Sequence, residues 1–290
     1  MHFTGRTWRP PYEAGSFIIQ ATAGCTHNKC SFCSLYKDEC FRMEEWREDL
    51  AELASYQPSA RRIFWTGANP FAMSYEKLRE RALAVYDYLP ECRTMAMFAS
   101  IRDIKPKKVW QLRRLRGLGI NGLSIGTETG DDAALRLANK GYTAKDIIDQ
   151  CRKLDEAGIE YYFVYMTGLA GKGNGYRNAV NSARVFSKVH PRFISVDSLT
   201  LFENTELYTL AKQGKFIPAA ERERIEELQI FIEHLHLKVH LFANSVTNFY
   251  PAAAYLPKEK ERILNELQEI LDTVREEEMQ EYRQSLTALG

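Results

Sequence analysis

Short apolar runs alternate with amphipathic stretches along most of this chain, and that alternation constrains its fold more than any other feature. Residues 17–21, 62–66, 93–98, 121–126, 160–166 and 192–197 read as strands. Helical patterns fill the gaps at 44–55, 74–89, 106–116 and 176–189. Ser74 caps the second of these, with Leu78, Ala82 and Val85 on one face. One more helix starts at Thr143, with Asp146 three positions on and Ile147, Cys151 and Leu154 sharing a face, and Gly158 suits its end. Such alternation predicts βα repeats around a parallel sheet. About six repeats are too few for a closed eight-fold barrel, and an open sheet and a partly closed barrel share this periodicity. In both, ligands bind at the carboxyl ends of the strands.

After about residue 215 the pattern becomes helical. Ile225, Leu228, Ile232, Leu235 and Val239 mark one long helix, and 258–282 another. The run Glu276-Glu277-Glu278 reads as a solvated helix end. His234, His236 and His240 lie near one another, but without an HExxH pattern they read as solvated or locally bonded.

Charge excludes some functions. With 39 basic and 38 acidic residues the formal net charge is +1, which indicates neither a nucleic acid nor an anionic membrane partner. No window approaches 18 apolar residues in a row, and the first residues hold no apolar secretion core. These features predict a cytoplasmic chain with no membrane partner.

Six cysteines occur, and three of them crowd into Cys25-Thr26-His27-Asn28-Lys29-Cys30-Ser31-Phe32-Cys33, directly after the first strand. Cys92 and Cys151 fall in apolar patterns and read as ordinary buried residues. In a reducing compartment the crowding points to metal or redox chemistry. The two-residue gap between Cys30 and Cys33 lets both sulfurs approach one centre. Zinc would need a fourth ligand, for which His27 and Cys40 are candidates. A four-iron cluster with three cysteines would keep one iron open to a cofactor or substrate. Structural thiols are the third reading.

The segment ATAGCTHNKCSFC, with the βα repeat behind it, resembles the radical S-adenosylmethionine (radical SAM) superfamily over residues 17–200. The resemblance implies an α/β partial (β/α)6 TIM-like barrel over 17–215, after an extension at 1–16 and before a helical extension at 216–290. It implies a [4Fe–4S] cluster on Cys25, Cys30 and Cys33, with the open iron chelated by the methionine moiety of S-adenosylmethionine. The family spacing places three residues between the first two cysteines, whereas four stand between Cys25 and Cys30, so this loop takes a different path.

Further site residues follow from the same resemblance. Phe32 takes the position of the aromatic near the adenine. Gly67, Ala68, Asn69 and Pro70 match the segment that contacts the cofactor's amino group, with Asn69 where an acidic residue is common. Glu128 matches the residue that approaches the ribose hydroxyls, as a carboxylate can; the plainer reading is a loop residue paired with a nearby Arg. The stretch through Lys140-Gly141-Tyr142-Thr143 resembles a subgroup with heme-biosynthesis-like and methylthiotransferase-like members. Gly168 matches the glycine lining the methionine and adenine side; its surroundings are not a Walker A loop, because no Ser or Thr follows Gly171-Lys172. Asp197, at the end of the sixth strand, is a substrate-site candidate.

The activity implied is reductive cleavage of S-adenosylmethionine to a 5′-deoxyadenosyl radical that abstracts hydrogen from a substrate. A flavodoxin or ferredoxin would donate the electron, and the substrate would be a small molecule. No room for a cobalamin domain and no second cysteine cluster are expected. The competing expectations are a non-enzymatic zinc or iron–sulfur redox sensor and zinc-assisted hydrolysis.

Overall fold

The computed structural model describes residues 1–286. Among the described residues, ten strands run in chain order as β1 (Phe17–Gln20), β2 (Thr22–Ala23), β3 (Arg42–Met43), β4 (Arg62–Thr66), β5 (Thr94–Ala99), β6 (Ile120–Glu128), β7 (Tyr161–Thr167), β8 (Phe193–Ser198), β9 (Val239–Phe242) and β10 (Ala253–Leu256). The helices are α1 (Arg47–Tyr56), α2 (Tyr75–Tyr88), α3 (Ile101–Ile104), α4 (Val109–Gly117), α5 (Asp132–Leu137), α6 (Ala144–Ala157), α7 (Gly175–Phe186), α8 (Glu206–Lys212), α9 (Glu221–His234), α10 (Lys260–Thr273) and α11 (Glu276–Ser285). Eight strands form one mostly parallel sheet in the order β1-β4-β5-β6-β7-β8-β9-β10, and β2 and β3 form a separate ribbon. This mostly parallel α/β sheet is the arrangement that the βα repeats predict.

The chain divides into two compact units, with one boundary inside β6 and another inside α6. The first holds residues 1–28, 35–125 and 150–161. In it β1 pairs in parallel with β4 from Phe17↔Ile63 to Gln20↔Thr66, β4 with β5, and β5 with β6. The segments after Gln20, Thr66 and Ala99 therefore leave from one edge of this unit's sheet. Its buried residues include Ile19, Ile63, Phe64, Trp65 and Leu123, with Leu50 and Leu53 of α1 and Leu78 and Val85 of α2. Trp46 meets Trp65 edge to face at 5.8 Å.

The second unit holds residues 29–34, 126–149 and those from Tyr162 onward. There β7 pairs in parallel with β8, β8 with β9, and β9 antiparallel with β10. Phe231 of α9 stacks on Tyr165 of β7 at 4.1 Å, and Phe186 of α7 meets Phe163 at 4.7 Å. A second core patch gathers Ala138, Leu169, Leu199, Leu207 and Phe216, with Phe32 packed against it.

Several local expectations change. The chain forms a first strand over Phe17–Gln20, then a two-residue strand whose Thr22↔Met43 and Ala23↔Arg42 pairs close the base of the cysteine loop. α3, which precedes α4, carries its own Ser100/Asp103 capping box and no amphipathic repeat long enough to read. The helix marked out to Val239 stops at His234, and residues 239–242 and 253–256 extend the sheet. The span 258–282 is two helices broken at Val274 and Arg275. Glu276 is not a solvated end: its carboxylate accepts the Glu221 and Arg222 amides at 2.9 and 3.0 Å, capping α9. The Thr143 and Asp146 capping pair forms as read, with bonds of 3.0 and 3.2 Å. Cys92 and Cys151 are buried.

Candidate cofactor site

The Cys25 arm rises from the β2–β3 ribbon. Gly24 has φ +65, and a side chain there would meet the Cys40 carbonyl carbon and oxygen at 2.6 Å, so only glycine fits the turn. Its amide donates to Glu39 Oε2 at 3.2 Å. Cys25 Sγ accepts the Asn28 amide at 3.4 Å. Asn28 holds a left-handed φ of 43, and its side-chain amide donates to the Tyr36 carbonyl at 2.7 Å. Arg102 of α3 approaches His27 Nδ1 at 2.6 Å.

Gly67, Asn69 and Pro70 are buried after β4, and Ala68 is half-buried. Gly67 has φ +139, and its missing Cβ would fall on Thr22 Oγ1. That hydroxyl is buried and has no hydrogen-bond partner among the described residues. The Asn69 side chain is engaged within the protein. Its Oδ1 accepts the Thr26 amide at 3.2 Å, and its Nδ2 donates to both Asp103 oxygens at 3.1 Å. Burial pushes Asp103 up to about 6 against the opposing hydrogen bonds from Ser100 and Asn69.

In the other unit, the Ser31 amide donates to the Ala138 carbonyl at 3.0 Å, and its hydroxyl donates to the Leu137 carbonyl at 2.8 Å. The Leu207 amide donates to the Ser31 carbonyl at 2.8 Å. These bonds fasten the segment carrying Cys30, Phe32 and Cys33, and the Cys33 amide donates to the Cys30 carbonyl at 3.4 Å. Lys140 Nζ lies 3.3 Å from Glu128 Oε1 and 5.7 Å from the Phe32 ring centre. Burial disfavours the ammonium, but Tyr142, Glu128 and Cys30 hold it well above the ordinary lysine range. Glu128 has φ +64, a strained conformation for a residue with a side chain. A Cβ on Gly126 would meet its Oε1 at 2.6 Å, so that glycine makes room for the carboxylate.

Gly168, with φ +75, has a packing reason to lack a side chain: a Cβ would press on the Arg224 guanidinium at 3.2 Å. Its amide donates to Glu227 Oε2 at 2.8 Å. Glu227 Oε1 accepts from the Tyr165 hydroxyl at 2.8 Å and Asn178 Nδ2 at 2.7 Å. Burial pushes Glu227 up to about 7. Asp197 is half-buried at the end of β8, and loss of solvation raises it to about 6, with Ser245 opposing as a hydrogen-bond partner and Glu128 adding repulsion.

The sequence does not single out Lys140, Asp103 or Glu227. Lys140 lies inside a family-like segment, but only folding brings it to Glu128. Nothing marks Glu227 among the acids of an amphipathic helix.

Cys25, Cys30 and Cys33 are each half-buried. Among the described residues, no group of three or more His, Cys, Asp or Glu side chains is gathered closely enough to hold a metal ion. The donors nevertheless suit an iron–sulfur cluster, which takes soft thiolates. The buried, unpartnered Thr22 hydroxyl against Gly67 is a polar group suited to a polar cofactor.

The radical SAM superfamily model matches residues 19–181. The heme chaperone HemW of Bacillus subtilis (strain 168) is 26% identical over 202 residues, covering 69% of this chain and 52% of that protein. The tRNA uridine(34) acetyltransferase of Methanocaldococcus infernus is 23% identical over 122 residues, covering 40% of this chain and 22% of its own length. The chain thus spans about half or less of these curated relatives. Among solved structures, the radical SAM methyltransferase TsrM from Kitasatospora setae, with cobalamin and a [4Fe–4S] cluster bound, aligns with TM-score 0.56 and 20% identity over 68% of this chain and 37% of its own. Coproporphyrinogen III oxidase (HemN) from Escherichia coli aligns with TM-score 0.55 and 16% identity over 75% of this chain and 51% of its own. At these identities the structures speak for the fold, and the family match spans more than half of the chain: it belongs to the radical SAM superfamily, whose cofactors are a [4Fe–4S] cluster and S-adenosylmethionine.

Proposed function

We propose that this chain is a radical SAM enzyme whose cluster is held by Cys25, Cys30 and Cys33. The observation that carries this reading is the cysteine loop, set between β1 and β4 inside the matched region 19–181. When bound and reduced, the cluster and S-adenosylmethionine supply a 5′-deoxyadenosyl radical that takes a hydrogen atom from substrate.

The chain binds, orients and shields. Gly67, Ala68 and Pro70 offer backbone carbonyls to the methionine ammonium, while Asn69 braces the loop through its side chain. Lys140 brings a buried positive charge suited to a carboxylate. Glu128, oriented by Lys140, accepts from the ribose diol. Phe32 offers its ring to the adenine, and Gly168 offers its backbone on the same cofactor. Asp197 is a polar handle for substrate, and its raised pKa lets it donate or accept a proton near pH 6. A flavodoxin or ferredoxin delivers the electron, and a small molecule is the substrate.

Anaerobic incubation with reductant and S-adenosylmethionine tests this, read as 5′-deoxyadenosine by mass spectrometry. Product that disappears in Cys30→Ala supports it. A colourless protein holding one tight zinc, with no product, overturns it in favour of a zinc-binding sensor. Likeness to HemW favours a second reading, a heme-handling chaperone. Stoichiometric heme uptake without product formation would select it.

A further inference from the structure

We propose that Asp103 is the positioning residue for the lengthened Cys25 arm, acting through Asn69; the functional meaning of the arm rests on the cluster reading above. The Asp103 carboxylate spans two jobs. Its Oδ2 accepts the Ser100 amide at 2.7 Å, which fixes it at the start of α3. Both its oxygens accept from Asn69 Nδ2 at 3.1 Å.

This settles which way the Asn69 amide points. With Nδ2 drawn to the carboxylate and to Thr26 Oγ1 at 2.5 Å, Oδ1 is turned to receive the Thr26 backbone amide at 3.2 Å. Thr26 directly follows Cys25 in the stretch where this chain has four residues between its first two cysteines. The same short helix reaches the next residue, since Arg102 meets His27 Nδ1 at 2.6 Å. Two adjacent residues of α3 thus hold two adjacent residues of the arm. Asn69 and Asp103 are 4% and 6% exposed, so water does not replace the bond between them. Where a carboxylate at position 69 would repel Asp103, an amide joins the loop to it. The acid stands at Asp103, and Asn69 is its intermediary.

The pair can be exchanged without losing a bond. In the double variant Asn69→Asp/Asp103→Asn, the carboxylate introduced at position 69 accepts from Thr26 and from the side-chain NH2 introduced at position 103. The amide oxygen at position 103 keeps the Ser100 cap. Hydrogen exchange by mass spectrometry, on the metal-free full chain at pH 8, reads the Thr26 amide in peptides spanning 22–28. Asn69→Asp alone is expected to speed that exchange about tenfold, the loss of one charge-assisted bond. Asp103→Asn alone gives a several-fold rise, and the double exchange returns it to within about twofold of the parent. Peptides of β5 stay unchanged throughout. Unchanged exchange at 22–28 in the single variants, or a double variant no slower than Asn69→Asp, overturns the proposal. If Asn69→Asp does not fold, Asp103→Asn decides alone, and parental exchange at Thr26 refutes the role. Because no cluster is present, this result is independent of whether the loaded protein makes 5′-deoxyadenosine.

Discussion

Lys140 Nζ and Glu128 Oε1 stand 3.3 Å apart with both side chains about nine-tenths buried. Removing one partner strands the other charge where water cannot reach it. Lys140→Met is expected to cost about 3–5 kcal/mol of stability in urea denaturation of the metal-free protein. Lys140→Met/Glu128→Leu recovers most of that loss, because no unpaired charge remains. A Lys140→Met cost below about 1 kcal/mol would mean that the pair is solvated.

Glu227 makes stability depend on pH in an unusual direction. Burial raises its pKa from 4.5 to about 7, against the bonds from Gly168, Asn178 and Tyr165. The folded protein therefore holds the proton more tightly than the unfolded chain. This contribution is complete below about pH 4.5 and is lost as pH rises through about 7, a change of about 3 kcal/mol. Glu227→Gln removes it. Denaturation from pH 5 to 8 should show the parent losing stability relative to the variant as pH rises. A difference independent of pH would count against the raised value.

Gly67 has no room for a side chain. Its φ is +139, and a Cβ would overlap Thr22 Oγ1 and lie 2.5 Å from the Thr22 carbonyl oxygen. Gly67→Ala should cost more than about 2 kcal/mol. The adjacent Thr22→Val removes only an unpartnered hydroxyl, so stability stays within about 1 kcal/mol of the parent. Thermal melts of the two variants check the contrast.

α9 begins under a borrowed cap. Glu276 of α11 accepts the Glu221 and Arg222 amides, so Glu276→Ala should cost about 1 kcal/mol, measured by denaturation of the full chain. An equal cost for Glu277→Ala, an exposed neighbour, would contradict that assignment.

What can be read from the sequence is what local pattern carries. Arg62–Thr66 is a strand because its residues are β-rich and Gly67 ends it, and the Thr143 and Asp146 pair lies three positions apart in sequence. Most of the misses share one cause, partners distant in sequence, whereas α3 is too short to show an amphipathic repeat. β9 and β10 are four residues each, and Val239 continues the apolar spacing of α9 although the chain has already turned into a strand. Lys140 and Asp103 carry no signal of their partners, since Glu128 is twelve positions from Lys140 and Asn69 is 34 from Asp103. Glu276 reads as solvated because the amides it accepts lie 55 and 54 residues away.

The assignment of the cluster to three cysteines is tested most directly by iron bound per chain after anaerobic reconstitution. About four irons are expected in the parent and in Cys40→Ser, and near-complete loss in each of Cys25→Ala, Cys30→Ala and Cys33→Ala. Full iron in Cys25→Ala, or loss of iron in Cys40→Ser, would contradict the ligand set.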